Sequence, residues 1–483
     1  MLFNSLEYAV FLPVVFLLYW FVFNRNVRWQ NLFVLVASYI FYGWWDWRFL
    51  GLIVFTSLCT FASGLLIDKY RDTPLRAKLV SALNIIVNLL ILGLFKYYDF
   101  FATSFANAFL GGKTDGLLLK LVLPVGISFY TFKALSYSID VYRGKLEPTR
   151  DVVLFFAFVA FFPQLLAGPI DRATTLLPQF AKPRAFEYET GLNGLRQFLW
   201  GLFKKVAVAD TCAVYVDAVL VPGQPQSGST VVLAIILYTF QIYGDFSGYS
   251  DMAIGTGKLF GFRFMQNFKV PYFSRDIAEF WRRWHISLTS WFRDYIYIPM
   301  GGSRCSKARI VLNTFVVFLV SGLWHGANWT FVAWGAYHAL LFLPLILLGK
   351  NRRYRDTTVA QGHLSPSFKE CGQMLLTFFL VAAGWLLFRA DSIAQVGTWI
   401  RAICSRSLFS IPASLTSRTF APIVFFLPIM IVVEWIQRDR KHALEPVSGN
   451  KAVNTLFYLA VFIAVFVAVV SAQGDRSFIY FQF

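Results

Sequence analysis

Two histidines forty residues apart are the side chains best suited to proton chemistry: His285 in E-F-W-R-R-W-H-I-S-L-T-S-W-F-R-D-Y-I-Y-I-P-M-G-G-S-R and His325 in S-G-L-W-H-G-A-N-W. From Ile310 to Gly349 the chain contains no Asp, Glu, Lys or Arg. Such a run holds two membrane spans at ~20 apolar residues each, and an ionisable side chain isolated in one is a candidate functional group. His325 lies sixteen residues beyond Arg309, ~24 Å along a helix. Burial disfavours the charged imidazole, so a neutral ring can serve there as a general base. It could take the proton from an acceptor hydroxyl while that oxygen attacks a thioester or similar acyl donor. The competing reading is a structural histidine hydrogen-bonded across helices. His338, in W-G-A-Y-H-A, is a weaker competitor for the same role, and His363 and His442 fall in polar loops where they are expected to be inert.

The elements that must position these groups are membrane helices. Of 483 residues 57% are hydrophobic and 14% charged, well under the roughly 25% charged residues of a soluble domain. The 53 Phe, 22 Tyr and 15 Trp suit lipid contact and interfacial anchoring. Net charge is +18; because the basic residues gather in short loops, they describe insertion orientation rather than nucleic-acid binding. Five scattered cysteines with no C-x-x-C suggest neither a disulfide framework nor a zinc site.

Apolar runs near Tyr8–Phe23, Asn31–Trp45, Phe49–Ile67, Leu79–Phe95, Leu117–Phe132, Val152–Ala167, Val231–Tyr243, Ile310–Trp324, Trp329–Leu348, Gln373–Phe388, Phe420–Trp435 and Leu456–Val470, with an amphipathic run at Gly191–Leu220, predict an all-α polytopic protein. About 10 to 12 spans are expected, with shorter re-entrant and interfacial helices. The N-terminus lacks a basic signal-peptide region, so the first apolar segment reads as a retained span. The expected organisation is a single membrane domain: N-terminal spans over 1–170, a core over 190–350, C-terminal spans over 370–472 and a tail over 473–483. Placing Arg25, Arg28, Lys69, Arg71, Arg76, Lys78, Arg352, Arg353, Arg355, Arg438, Arg440 and Lys441 inside puts both termini outside, although Arg389–Arg418 would then lie outside with its four arginines.

Read as one helix, the segment around His285 carries Trp281, Trp284, Leu288, Phe292 and Tyr295 on one stripe and Arg282, Thr289 and Arg293 on another. That is the pattern of an interfacial amphipathic helix, whose Arg282, Arg283 and Arg293 hold either donor phosphates, lipid headgroups or no ligand. Q-I-Y-G-D-F-S-G-Y-S-D-M-A-I-G places Asp245 and Asp251 beside an apolar run, where they need partners such as those arginines, or orient a histidine, or mark the helix reaching water. Asp245, Ser247, Tyr249, Asp251, Arg282, Arg283, Trp284, Trp291, Trp324 and Asn328 are the expected lining of a substrate channel. A metal site from His285, His325 and Asp245 has the right residue types but no ligand spacing, and glycine-rich phosphate loops, G-x-S-x-G and H-E-x-x-H are absent. No bound cofactor is expected.

The ordered series Y-G-D-F-S-G-Y-S-D-M-A-I-G, N-F-K-V-P-Y, E-F-W-R-R-W-H-I-S through G-G-S-R and G-L-W-H-G-A-N-W, with L-E-Y-A-V-F-L-P-V-V-F-L-L-Y-W near the N-terminus, resembles the bacterial membrane-bound O-acyltransferase family, in the branch that contains the alginate O-acetyltransferase membrane subunit. The resemblance implies a helical funnel in the bacterial inner membrane, His325 as catalytic residue and His285 as its partner. It implies transfer of an acyl group from a cytoplasmic donor, acetyl-CoA or another acyl thioester, toward an extracytoplasmic polysaccharide such as an alginate-like polymer, peptidoglycan or cellulose. A periplasmic SGNH-type acetyltransferase and the envelope polysaccharide machinery are the expected partners. D-alanyl transfer to teichoic acid and a non-enzymatic transporter or flippase are the alternatives. The tail F-I-Y-F-Q-F resembles the C-terminal motif of the small membrane partner in teichoic-acid D-alanylation, which makes Tyr480 a candidate acyl relay; an aromatic membrane anchor is the competing reading.

Overall fold

The computed structural model describes residues 1–471 except 222, 356 and 414–416, together with 478 and 479. Among them all regular structure is helical, and the protein is an all-α polytopic membrane protein. Among the described residues seven helical stretches are long and apolar enough to cross a membrane: Val27–Lys69, Pro74–Phe109, Gly228–Leu259, Lys307–His325, Trp329–Leu347, Phe368–Arg389 and Lys451–Ser471. Leu6–Val22 and Phe420–Ile436 are shorter apolar helices. Large apolar side chains such as Leu83, Leu90, Phe462, Phe466 and Val470 point outward and stay exposed. Contiguous apolar surface of that kind is a liability in water and a requirement in lipid.

The chain forms two compact units, one of Met1–Leu195 with Ala253–Met265, the other of Arg196–Met252 with Gln266–Phe483. In the first, the helix Ile127–Tyr142 is buried along almost its whole length. It meets the helix Leu50–Lys69 through small and hydroxyl residues: Ser63 Oγ lies 3.1 Å from Ser138 Oγ, the usual way membrane helices approach closely. Two expected spans differ here. Leu117–Phe132 is not one helix, because the chain turns at Gly126 in the left-handed region (φ 76°) and becomes helical only from Ile127. Val152–Ala167 breaks after Ala160, where Pro163 opens a separate four-residue turn, Phe162–Leu165, and cannot donate to the preceding helix.

The second unit contains both histidines. The run expected to stop at Tyr243 belongs to a single helix, Gly228–Leu259, that passes straight through the Asp245–Asp251 motif. The uncharged stretch forms the anticipated hairpin, Lys307–His325 and Trp329–Leu347. Ser306 caps the first helix by accepting from Arg309 N, and Asn328 caps the second by accepting from Thr330 N. His325 is the last residue of its helix.

The single amphipathic helix expected around His285 does not form. It is two short helices, Ile277–Arg283 and Ile286–Phe292, with His285 between them at φ 44°, ψ 52°. The reason is a competing partner: Lys269 N donates to Arg283 O at 3.0 Å and Ile286 N to Asn267 O at 2.9 Å, bonds that replace helix hydrogen bonds across the break. Trp281, Trp284, Leu288, Phe292 and Arg283 are all buried, so the apolar stripe packs inside the protein rather than on a membrane surface.

Candidate active site

His325 and His285 come together. Their ring centroids are 6.2 Å apart, and both residues are at least 95% buried. Trp324 touches both, at 4.9 Å from His325 and 5.7 Å from His285. Trp334 and Phe388 close the far side of His325 at 5.2 and 5.3 Å. Phe246 packs edge-on against His285 at 4.7 Å, and Phe268 stacks on it at 6.3 Å. Desolvation in this aromatic chamber pushes the pKa of His285 down to about 3, so its ring is neutral at physiological pH. A neutral imidazole can accept or relay a proton without first losing one.

Backbone geometry holds the pair. A left-handed backbone is uncommon outside glycine, yet both His285 and Val270 adopt it. Val270 ends the segment Asn267–Val270, which is tied on both sides. Asn267 Nδ2 donates to Ser250 Oγ on the long helix at 3.0 Å, while Asn267 Oδ1 accepts from Ser287 Oγ at 2.9 Å. Local strain of this kind persists where surrounding bonds over-determine it, and it clusters at functional sites.

Asp245 and Asp251 are partnered by lysines, not by the arginines that follow them in sequence. Lys205 Nζ lies 2.7 Å from Asp245 Oδ1 and 2.8 Å from Asp210 Oδ1. Lys204 Nζ lies 2.6 Å from Asp251 Oδ2 and 3.9 Å from Glu434 Oε1. Gln197 donates to Asp251 at 2.7 Å, and the Tyr243 hydroxyl donates to both Glu434 oxygens at 2.8 and 2.9 Å. The two adjacent lysines, in a π-helical turn over Phe203–Ala209, reach different carboxylates because consecutive helix residues project about 100° apart. Gly244 and Gly248 bring the two backbones close: a Cβ on either would sit 2.9 Å from Lys204 O or 2.7 Å from Gly201 O. The glycines of Y-G-D-F-S-G thus set the approach that pairs the acids.

Other expected channel residues divide. Ser247, Tyr249, Trp284 and Trp291 are buried; Tyr249 packs edge-on against Phe478 at 4.8 Å, and Trp284 stacks on Phe280 at 5.5 Å. Arg283 is held by Glu279 at 2.9 Å and Arg282 by Asn351 O at 2.8 Å. Asn328 serves as helix cap and donates to Asp391 O at 2.8 Å. His338 is fully buried among Trp281, Trp334 and Phe318, with Trp334 standing between it and His325. His442, expected inert in a polar loop, is buried as well, because that loop folds against the protein; His363 is exposed. Among the described residues, no three His, Cys, Asp or Glu side chains gather in a way that could hold a metal. Tyr480 lies outside the described residues. Its neighbours Phe478 and Ile479 are buried: Ile479 N donates to Asp245 Oδ2 at 2.7 Å, and Lys205 Nζ sits 4.5 Å from the Phe478 ring centre.

Sequence reasoning missed Lys204, Lys205, Glu434, Asn267 and Phe268. The first three carried a usable signal, since K-K interrupts F-L-W-G-L-F-K-K-V-A-V-A and a lone acid interrupts I-M-I-V-V-E-W-I.

Two buried histidines facing each other inside a polytopic helical protein suit proton transfer within a membrane enzyme. The chain belongs to the membrane-bound O-acyltransferase family, MBOAT, whose profile matches residues 39–382, and it is an O-acyltransferase. It is 37% identical to a probable alginate O-acetylase of Azotobacter vinelandii over 98% of both chains. It is 35% identical to a peptidoglycan O-acetyltransferase of Helicobacter pylori over 81% of this chain and 78% of that one. Similarity to a teichoic acid D-alanyltransferase of Bacillus subtilis is 27% over 56% of this chain and 69% of the relative.

Proposed function

We propose that this protein carries an acetyl group from a cytoplasmic thioester, acetyl-CoA, through the inner membrane for O-acetylation of an envelope polysaccharide. His325 acts as general base and His285 as the residue that positions it. The observation that carries this reading is the closed approach of the two rings, 6.2 Å apart within the aromatic chamber. In the transfer step His325 removes the proton from an acceptor hydroxyl as its oxygen attacks the thioester carbonyl. A C–O bond forms, the C–S bond breaks, and the departing thiolate takes up the proton. The names of the relatives favour alginate-like polymer or peptidoglycan as the final acceptor class.

The first acceptor in this proposal is Tyr480. A phenol with pKa ~10 is more readily deprotonated than a sugar hydroxyl, and an aryl ester stays activated for onward transfer to a periplasmic SGNH-type acetyltransferase. Burial of the adjacent Phe478 and Ile479 against Lys205 and Asp245 supports the tail as part of the site. Both termini face the periplasm in this scheme.

The deciding comparison is wild type against His325→Ala, scoring acetyl esters on each envelope polysaccharide with membrane expression confirmed. Loss of ester is expected, and normal ester levels would remove His325 from the chemistry. Esters of D-alanine instead of acetate would shift the donor. Tyr480→Phe separates relay from anchor, since it keeps the ring and removes the nucleophile; wild-type acetylation in that variant would leave only the anchor.

A further inference from the structure

We propose, given the acyltransferase reading on which this rests, that Phe388 and Trp334 set the length of the acyl group the protein transfers. They form a wall beside His325 that admits the two carbons of acetyl and excludes the four of butyryl.

A general base acts within hydrogen-bond reach of the reacting groups, so the acyl chain must lie among the side chains that surround the His325 ring. Trp324, Trp334 and Phe388 are buried there, with ring centres 4.9, 5.2 and 5.3 Å from that of His325. Two of these rings are themselves packed against further rings. Phe388 meets Phe331 at 4.8 Å and Trp385 at 5.3 Å. Trp334 meets His338 at 5.0 Å and Trp281 at 5.6 Å. Trp334 is 0% and Phe388 1% exposed, so neither has solvent to retreat into. Phe331 also takes up the space next to the residue that follows His325: a Cβ on Gly326 would collide with its ring.

The helices that carry the wall cannot step back either. Trp334 is followed by Gly335, where a Cβ would collide with Phe318 O of the facing helix. One turn before Phe388, a Cβ on Gly384 would lie 2.7 Å from His338 Nε2. Trp329–Leu347 and Phe368–Arg389 therefore sit close against their neighbours at the level of the wall, and His338 acts as a brace for Trp334. A packed interior answers each added methylene with displaced side chains and shifted backbone. An apolar pocket separates ligands differing by one methylene roughly 10–200-fold, so two methylenes against a braced wall give a preference for acetyl of about 100-fold or more.

The test is a competition between acetyl- and butyryl-coenzyme A, supplied in equal amounts to permeabilised membranes holding the full-length protein. Mass spectrometry counts the two acids released from the esters formed. Their ratio is internal to each preparation and does not depend on how much protein is folded. Wild type should favour acetyl by about 100-fold or more. Phe388→Ala should lower that preference at least about tenfold, and Phe388→Leu should lower it less. Phe378→Ala is the control: it makes the same truncation on the same helix, where the ring packs against Phe240 and Tyr272, and should keep the wild-type preference. A wild type that transfers butyryl as readily as acetyl would overturn the proposal, as would an unchanged preference in both Phe388 variants. Equal relaxation in Phe378→Ala would trace the effect to general loosening and overturn it too. Loss of both esters in both Phe388 variants would assign the ring to the support of His325 instead of chain length. Absence of both esters from the wild type would remove the acyltransferase reading itself, whereas acetyl esters with an unmoved preference remove only the wall.

Discussion

Gly322→Ala should cripple transfer while changing no side chain that touches substrate. A Cβ at Gly322 would lie 2.2 Å from Phe331 O in the facing helix, and real methyl groups essentially never come closer than 3.0 Å. The hairpin must therefore open by about 0.8 Å at that level. The obstruction is backbone, so no rotamer change relieves it. His325 sits three residues further on, at the helix end, and inherits most of the shift. A misplacement near 1 Å costs on the order of 10²-fold in rate, and overpacking adds about 1–3 kcal/mol of destabilisation. The assay is acetyl-ester formation per unit of membrane-inserted protein, with a thermal melt in detergent. Gly372→Ala is the control: nothing lies within 4 Å of the Cβ it would add, so activity should hold and stability should stay level or rise by about 0.4–1 kcal/mol. Wild-type rate and melting in Gly322→Ala would refute the argument that backbone contact places His325.

Three further outcomes are expected. Lys205→Met strands Asp245 and Asp210 beside the buried tail residues and should cost about 3–5 kcal/mol; a melt showing no loss, or no recovery in Lys205→Met with Asp245→Asn, would count against a coupled cluster. His285→Gln should lower kcat less than His325→Ala does, and full activity would reduce His285 to packing. A reporter fused after Phe483 should register as periplasmic, and a cysteine at Arg353 should be shielded from external thiol reagents; inverted labelling would reverse the orientation.

The sequence exposed the helical class and His325 for one physical reason. An uncharged run of forty residues has a recognisable length, and a lone imidazole inside it is costly enough to require a role. The break at His285 was not legible, because local periodicity over Trp281–Phe292 is helical. Only bonds from Asn267 and Lys269, segments with no apolar signature of their own, override it. The partners of the acids were hidden differently. Asp245 and Asp251 stand 40 and 47 residues from Lys205 and Lys204, with Glu434 another 183 residues beyond Asp251, so no local pattern could have matched them.

The need for partners was nevertheless visible. The rule that singled out His325 applies equally to Lys204, Lys205 and Glu434, each a charge set in apolar sequence. Applied evenly, it gives two basic and three acidic groups that must neutralise one another somewhere inside the protein. The two lysines are adjacent, so they project in directions about 100° apart around the helix and meet separate acids. Each lysine has its own acid: Lys204 meets Asp251 and Glu434, and Lys205 meets Asp245, whose other oxygen accepts from Ile479 N of the tail. The charges buried along this helix thus neutralise one another in two groups, one around Asp251 and one around Asp245, the second beside the tail.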